Sequence, residues 1–293
     1  MISVVLATYN RSAKLTQLLE TLFNQDKIKD FEIIVVDNGS TDNTKDTLTS
    51  LSKTNPLLKP IFHKLGNIGP GPARNLGVLR AKGEIIAFTD DDCLVPKDWL
   101  YQIQEAFNIH PQVSCVGGFL QASENLLSSN IFAQYEKFNE SQYRISKLEY
   151  FSNKLNELPF QTNNIAYRIK DFLSLGGFDE SFGLTYGEDS DLKERGLKKG
   201  FQFLYIPVKV IHNQDYTFPR FWRQSIAKGI SIMEYRKRHH FHIPGLLELF
   251  LRFLTVPLFT CLVLIKKPLV PGLALVETIA QVGRNIGKIK YLK

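Results

Sequence analysis

Short apolar segments alternate with amphipathic helices in the first third of this 293-residue sequence. The segments Ile2–Ala7, Phe31–Val36 and Ile85–Thr89 are largely apolar, which is typical of strands buried on both faces of a sheet. After Ser12, which we expect to cap a helix, four leucines recur at helical spacing: Leu15, Leu18, Leu19 and Leu22. The alternation predicts an α/β fold with a Rossmann-like, mostly parallel central sheet flanked by helices.

Polar residues follow three of the predicted strands at the point where each strand ends. They are Thr8–Arg11 after the first strand, Asp37–Ser40 after the second, and Asp90–Asp92 after the segment Ile85–Thr89. Any one of these groups could be turn chemistry or helix capping. Ligands of an open parallel sheet bind at the carboxyl ends of its strands, so the recurrence of polar groups there predicts a binding site.

The three successive aspartates Asp90, Asp91 and Asp92 predict a divalent cation. Like charges held close together repel one another unless a cation lies among them. Mg²⁺ and Mn²⁺ prefer oxygen ligands and bind through one or two carboxylates together with the phosphates of a substrate. The alternative for this segment on its own is a solvated acidic turn.

Taken together, these segments resemble the inverting family 2 glycosyltransferases, which have the GT-A fold. The resemblance covers about the first 215 residues and rests on ordered motifs, including Val35–Asp42, Asn67–Gly77 and Asp90–Asp92. It implies that Asp37 contacts the nucleobase of the donor and that Arg74 lies near the nucleotide. The donor-binding residues predicted on this basis are Thr8, Tyr9, Asn10, Arg11, Asp37, Asn67, Arg74, Asp90, Asp91 and Asp92.

Later segments extend the resemblance to the catalytic and acceptor side. Gly187–Leu192 resembles the family's ED motif, which implies that Asp189 is the general base, with Glu188 beside it. Thr162, Asn163, Asn164 and Asp191 are the residues predicted to shape the sugar and acceptor pocket. The predicted metal ligands are Asp92, Asp90 and His212, although a lone histidine such as His212 is also commonly structural.

The basic residues are concentrated in the C-terminal part of the chain. Residues 220–293 hold 13 Lys and Arg but only three acids, whereas residues 1–219 hold 23 bases and 26 acids. The apolar runs Leu246–Ile265 and Pro268–Val282 lie within this basic part. We therefore expect a catalytic domain over 1–218 and a helical, membrane-associating extension over 219–293 that lies on an anionic surface. A membrane-spanning hairpin and a soluble helical cap are the alternatives.

The cysteines and the N-terminal sequence bear on the cellular compartment of the protein, and one segment of the chain has no assigned structure. Cys93, Cys115 and Cys261 are widely spaced and odd in number, so they suggest neither a disulfide framework nor a zinc cluster. The first strand starts without a preceding basic region, which predicts no signal peptide and an active site at the cytoplasmic face of the membrane. Residues 121–160 have no clear periodicity, and an acceptor-specific insertion would lie there.

The sequence predicts a metal-dependent enzyme that transfers a sugar from a nucleotide diphosphate donor to a hydroxyl of a glycan or glycolipid, with a lipid-linked glycan favoured. UDP and dTDP sugars are favoured over GDP sugars because Asp37 can accept the imide N–H of a pyrimidine. The alternatives are a non-catalytic nucleotide-sugar-binding protein and a sugar nucleotidyltransferase, although the glycine-rich N-terminal loop of the latter is missing here. We expect no nucleic-acid partner, because the aromatic residues of the basic part are better explained by packing.

Overall fold

The computed structural model describes residues 1–63, 66–141, 150–152, 161–182, 187–249 and 271–292. Contacts within the chain divide it into two compact units. The first, here called the sheet unit, comprises Met1–Gln121, Tyr143–Leu184 and Glu188–Gln214. The second, the helical unit, comprises Ala122–Gln142, Thr185–Gly187 and Asp215–Lys293. The predicted boundary after residue 218 stays a prediction. Ala122–Gln142, which lie in the unassigned segment 121–160, belong to the same unit as the C-terminal helices.

The first half of the sheet unit has the predicted alternation of parallel strands and helices. The strands lie in the order β3-β2-β1-β4, and all three neighbouring pairs are parallel. The elements in chain order are β1 (Ile2–Thr8), α1 (Ser12–Phe23), β2 (Phe31–Asp37), α2 (Thr44–Thr54), β3 (Leu58–Phe62), α3 (Pro70–Val78) and β4 (Ile85–Phe88). Because these strands share one direction, the residues that follow β1, β2 and β4 meet at one edge of the sheet.

The second half of the chain completes the sheet and adds the helices. The sheet order continues from β4 through β8, β6, β9 and β5, with β7 paired to β9, and six of the nine described strands share one direction. The elements are β5 (Cys93–Leu94), α4 (Trp99–Ile109), β6 (Val113–Gln121), α5 (Glu124–Ser129), α6 (Ile131–Ser141), β7 (Tyr150–Ser152), β8 (Ile165–Arg168), α7 (Ile169–Ser174), α8 (Glu188–Lys198), β9 (Gln202–His212), α9 (Phe218–Arg238) and α10 (Pro271–Leu292). The α/β fold with a mostly parallel sheet and flanking helices is confirmed.

The central strands are buried on both faces, as their apolar sequences predict. Every residue of β2 is buried. Alternate side chains of β1 enter different clusters: Val4 and Leu6 pack with the leucines of α1, whereas Val5 packs on the other side with Val78 of α3. This alternation is the period of two expected for a strand covered on both faces.

The starts of β3, α3 and α1 have local physical reasons. Strand β3 begins at Leu58, which continues the parallel ladder opposite Ile33. Helix α3 begins at Pro70, since the fixed φ of proline suits the first turn of a helix. Ser12 lies inside α1 rather than capping it, and its Oγ is 2.7 Å from Oγ1 of Thr47 in α2.

The helical unit is built on the close approach of α9 and α10. A Cβ built on Gly229 of α9 would lie 2.1 Å from the carbonyl oxygen of Arg284, and one on Gly287 of α10 would lie 2.0 Å from that of Ile226. Tyr135 of α6 also donates a hydrogen bond to Glu277 of α10. The sequence therefore favours a tight helix pair here, with glycine at the points where the backbones meet.

None of the helices within the described residues combines the length and apolar character needed to cross a bilayer. The predicted apolar run Leu246–Ile265 lies largely in 250–270, outside the described residues. Part of the second run, Pro268–Val282, belongs to α10, which begins at Pro271.

Gly77→Ala should destabilise the fold although alanine favours a helix. The added methyl would lie 2.5 Å from Cγ1 of Val5, which is fully buried and stiff because it is β-branched. Overpacking of this kind typically destabilises a fold by about 1–3 kcal/mol. The higher helix propensity of alanine relative to glycine stabilises it by only about 1 kcal/mol. We expect a lower free energy of unfolding by urea denaturation. Gly245→Ala, where nothing lies within 4 Å of the new methyl, is the control; equal stability of the two variants would contradict this packing.

Candidate active site

The loops after β1 and β2 are joined at the edge of the sheet by Asn10. Its φ of 53° lies in the left-handed region, which asparagine tolerates better than most residues. The Asn10 backbone N–H donates to Oγ of Ser40 at 2.9 Å, and its Oδ1 accepts the backbone N–H of Thr41 at 2.7 Å. Tyr9 beside it is 40% exposed. Of the predicted donor-binding residues, Asn10 thus has a clear structural role, and Tyr9 is open to a ligand.

Asp37 and Asn38 shape the next part of the edge. Asp37 is buried, and its Oδ1 accepts the backbone N–H of Ser40 at 3.0 Å. The amide of Asn38 donates to Oδ1 of Asn67 at 2.8 Å and to the carbonyl oxygen of Gly69 at 3.1 Å. The predicted residue Asn67 is therefore held by Asn38, which the sequence analysis did not single out as a site residue although it stands next to Asp37.

Arg11 holds two of the three aspartates. Its Nη1 donates to Oδ1 of Asp91 and to Oδ2 of Asp92, both at 2.8 Å. Thr8 Oγ1 donates to the other oxygen of Asp91 at 2.8 Å. Burial, with the neighbouring Asp92 charge adding to it, raises the pKa of Asp91 to about 6 although Arg11 acts in the opposite direction.

Arg74 links the third aspartate to the ED motif. Its Nη2 donates to Oδ1 of Asp90 at 2.6 Å and its Nη1 to Oε1 of Glu188 at 3.0 Å. Arg74 is only 4% exposed, and its Nε finds no hydrogen-bond partner among the described residues. The guanidinium therefore bridges residues 16 and 114 positions away in sequence, which brings two separately predicted motifs together.

Glu188 and Asp189 open helix α8, where the helix dipole favours negative charge. Glu188 is buried against Arg74, whereas Asp189 is half-buried and its Oδ1 accepts the backbone N–H of Ser190 at 2.7 Å. Burial and the charge of Glu188 raise the pKa of Asp189 well above its ordinary value. A carboxylate with a raised pKa is a better proton acceptor, which is the property that a general base requires.

His212, at the end of β9, lies beside Asp92. The ladder between β5 and β9 pairs His212 with Cys93, and Nε2 of His212 is 3.6 Å from Oδ1 of Asp92. Oδ1 of Asp90, another predicted metal ligand, accepts a hydrogen bond from Nη2 of Arg74 at 2.6 Å. Within the part of the chain that the structure describes, no three His, Cys, Asp or Glu residues are grouped as a metal site. An oxygen and an imidazole nitrogen fit an ion that takes its other ligands from phosphates and water.

The predicted acceptor-pocket residues lie in two different settings. The side chain of Asn164 is buried and hydrogen-bonded within the core. Its Oδ1 accepts Nε1–H of Trp99 at 2.9 Å, and its Nδ2 donates to the carbonyl oxygen of Phe119 at 2.8 Å. Asp191 accepts Nε–H of Arg195 at 2.8 Å. Thr162 and Asn163 are also buried, but Oδ1 of Asn163 has no hydrogen-bond partner among the described residues.

Comparison with known proteins identifies the family of this chain. The sequence pattern described as glycosyl transferase family 2 matches residues 3–174, more than half of the chain. The chain therefore belongs to glycosyl transferase family 2.

Two relatives show how far the similarity extends. Validoxylamine A glucosyltransferase of Streptomyces hygroscopicus subsp. jinggangensis is 27% identical over 215 residues, which are 67% of this chain and 51% of that enzyme. A Campylobacter jejuni protein, GalNAc(5)-diNAcBac-PP-undecaprenol beta-1,3-glucosyltransferase, is 28% identical over 236 residues, covering 80% of this chain and 70% of the relative. The chain therefore spans about half the length of the first of these relatives.

A solved structure shows the same fold. The mannosyltransferase PcManGT from Pyrobaculum calidifontis, in complex with GDP-Man and Mn²⁺, superposes with a TM-score of 0.71 at 19% identity. The match covers 99% of this chain and 86% of the other. The GT-A fold expected from the sequence is confirmed.

Asp189→Asn should stabilise the protein in a way that depends on pH. A carboxyl group whose pKa is higher in the folded than in the unfolded state destabilises the fold when it ionises, and below the unfolded pKa that cost is absent. Asparagine removes the charge, so we expect Tm at pH 8 to rise by about 2–4 °C, the shift for roughly 1 kcal/mol, and the rise to shrink towards pH 5. Differential scanning fluorimetry of the variant across this range measures the effect.

Asp26→Asn is the matched control, because Asp26 is exposed and the substitution removes the same charge. It should leave Tm nearly constant. A Tm of Asp189→Asn that falls, or that rises equally at both pH values, would contradict a raised pKa at this position.

Proposed function

We propose that this protein transfers a sugar from a nucleotide diphosphate donor to a hydroxyl acceptor, with inversion at the anomeric carbon. The observation that supports this most is the pair of arginines: Arg11 joins Asp91 to Asp92, and Arg74 joins Asp90 to Glu188. Since the three aspartates are consecutive, both arginines gather their carboxylates at one edge of the sheet. A donor site and a proton acceptor thus lie next to each other.

The donor binds along the ends of β1, β2 and β4. Asp37 accepts a hydrogen bond from the nucleobase, and this role favours the imide N–H of UDP or dTDP over GDP. The structural relative PcManGT holds GDP-Man, so GDP is the rival that an experiment must exclude. In this proposal the exposed Tyr9 and the buried Thr8 line the donor pocket, together with Asn67, which accepts a hydrogen bond from Asn38 at 2.8 Å.

A divalent cation, Mg²⁺ or Mn²⁺, completes the donor site. Asp92 and His212 would hold it, with Asp90 close by, and the ion would neutralise the negative charge that develops on the leaving diphosphate. Arg11 already offsets part of the charge of Asp91 and Asp92 at 2.8 Å, so few carboxylate oxygens are left for the ion. The phosphate oxygens of the donor would therefore supply further ligands.

Asp189 accepts the proton of the attacking hydroxyl. Its pKa is raised by burial and by Glu188, which makes its carboxylate more basic than that of an exposed aspartate. The ion pair between Glu188 and Arg74, at 3.0 Å, fixes the position of the Glu188 side chain next to Asp189. As the hydroxyl attacks the anomeric carbon, its proton passes to Asp189 and the bond to the diphosphate breaks, and a single displacement of this kind inverts the configuration.

The acceptor is a glycan or glycolipid, and a lipid-linked glycan is favoured. The Campylobacter jejuni relative is named for an undecaprenol-linked acceptor. In the present chain, Arg236, Lys237 and Arg238 end helix α9, and Phe241 and Leu247 beyond it are 46% and 72% exposed. Basic residues beside exposed apolar ones are typical of a segment that lies on an anionic lipid surface. The catalytic region 1–218 would act at the cytoplasmic face of the membrane, to which region 219–293 attaches.

A thermal-shift screen tests the donor and the metal together. UDP, dTDP, GDP and CMP sugars are added with and without Mn²⁺, and we expect a UDP or dTDP sugar to raise Tm only when the ion is present. Asp92→Asn should abolish this increase. Asp189→Asn should keep it while turnover falls by about 10²–10⁴, because the variant loses the proton acceptor and not the donor site.

Each outcome of this screen decides one part of the proposal. An increase in Tm that Asp92→Asn leaves intact would contradict the metal assignment, and an increase with GDP sugars alone would contradict the donor preference. Donor binding without transfer or hydrolysis by the wild-type protein would indicate a non-catalytic nucleotide-sugar-binding protein.

Sedimentation with lipid vesicles tests the membrane surface. Vesicles of phosphatidylcholine with added phosphatidylglycerol should bind the protein, and Arg236→Gln with Lys237→Gln should weaken binding by roughly thirtyfold, since each basic residue near an anionic surface contributes about 1 kcal/mol. Lys29→Gln with Lys53→Gln is the control, because these exposed residues of the sheet unit give the same change in net charge. Equal loss in both pairs, or binding to neutral vesicles alone, would contradict the assignment.

A further inference from the structure

The turn Leu175–Phe178 is held from two sides by side chains of two different helices. It follows α7 directly, and both of its glycines have left-handed backbone conformations, with φ of 82° at Gly176 and 73° at Gly177. Asn75 of α3 contacts the turn from one side, and Arg195 of α8 contacts it from the other. Neither residue contacts the aspartate cluster through any described hydrogen bond or ion pair, so the donor site does not explain their arrangement.

Asn75 binds the backbone of the turn as a neighbouring strand would. Its Nδ2 donates to the carbonyl oxygen of Phe178 at 2.8 Å, and its Oδ1 accepts the backbone N–H of the same residue at 3.0 Å. A Cβ built on Gly177 would lie 2.7 Å from Oδ1 of Asn75. The asparagine therefore fits against this turn only because residue 177 is glycine.

All three guanidinium nitrogens of Arg195 donate hydrogen bonds, two nitrogens to the turn and one to its own helix. Nη1 donates to the carbonyl oxygen of Leu175 at 2.6 Å and Nη2 to that of Gly177 at 2.8 Å. Nε donates to Oδ2 of the buried Asp191 at 2.8 Å, one helical turn earlier. Asp191 thus fixes the orientation in which Arg195 binds two carbonyl groups. The planar guanidinium of arginine can donate to both carbonyl groups at once, whereas the ammonium group of lysine cannot reproduce this geometry.

The clamped turn places Phe178 against α3, the helix that carries Arg74. The ring of Phe178 is 5.8 Å from the guanidinium carbon of Arg74, and a Cβ on Gly71 would contact Phe178 at 3.4 Å. Arg74 precedes Asn75 in α3, whereas Glu188 belongs to the same helix as Arg195. Through the turn, each helix is therefore fixed relative to the other.

We propose that Asn75 and Arg195 are positioning residues that clamp the turn Leu175–Phe178 and thereby set the position of Arg74 relative to Glu188 and Asp189. This inference deepens the proposed transferase activity and rests on it. Neither residue touches the substrate. Their effect falls on the chemical step, because a displacement of about 1 Å between catalytic groups can cost about 10² in rate.

Asn75→Asp and Arg195→Lys test this inference with the full-length protein and its donor. The aspartate lacks the N–H group that binds Phe178, and the lysine keeps a positive charge beside Asp191 but cannot bind both carbonyl groups. We expect kcat to fall by about 10-fold to 100-fold, KM for the donor to change by less than about threefold, and the donor-induced increase in Tm to persist.

Arg168→Lys is the matched control. Arg168 also binds two backbone carbonyl groups, with Nε 2.9 Å from that of Val113 and Nη2 3.0 Å from that of Phe107, and it takes no part in the clamp. This variant should lose stability to a similar degree while kcat stays near the wild-type value. An unchanged kcat in Asn75→Asp and Arg195→Lys, with only a fall in Tm, would show that the clamp is merely structural and overturn the inference.

Crystal structures of the wild type and of Asn75→Asp provide a measurement that needs no activity. We expect the distance of 3.0 Å between Nη1 of Arg74 and Oε1 of Glu188 to lengthen by about 1 Å in the variant. An unchanged distance would overturn the inference. A wild-type protein that transfers no sugar from any donor, with the distance lengthened in the variant, would contradict the proposed function and leave the clamp in place.

Discussion

The bridge that Arg74 makes between Asp90 and Glu188 is the interaction on which the candidate site depends. A buried guanidinium next to two carboxylates is stable only while all three charges stay together, because removing one partner leaves an uncompensated charge in the interior. Arg11, which is partly exposed, pairs with the buried carboxylates of Asp91 and Asp92. The two arginines thus compensate the charge of a dense acidic cluster at the sheet edge, and they occupy carboxylate oxygens that an ion could otherwise take from the protein.

Much of the sheet unit and its site could be predicted from sequence, because the signals there are local. The polar residues after β1, β2 and β4 must meet once the strands are parallel, and they do. What could not be predicted depends on pairings over long sequence separations. The sequence around Asn164 does not indicate that its amide oxygen accepts the indole N–H of Trp99. The sequence around Asp191 likewise does not indicate that its carboxylate orients Arg195. The hydrophobic periodicity of the sequence also does not predict that β8 lies between β4 and β6 in the sheet.

The helical unit includes elements that the composition does not assign to it. The basic, apolar composition of residues 219–293 predicts a C-terminal region, and α5 and α6 from the unassigned segment 121–160 belong to the same unit as the helices of that region. Their assignment depends on side-chain pairs such as Tyr135 with Glu277, 142 positions apart in sequence. The close backbone contacts at Gly229 and Gly287 likewise require the structure, since a glycine in a helix has several possible explanations.

Calorimetric titration of Mn²⁺, with and without the nucleoside diphosphate that stabilises the protein most, tests the central claim directly. If Arg11 and Arg74 already compensate the carboxylates, the protein alone should bind Mn²⁺ weakly, and the diphosphate should raise the affinity by roughly tenfold or more. Asp92→Asn should remove that gain. Equal Mn²⁺ affinity with and without the diphosphate, or a gain that survives Asp92→Asn, would contradict the account.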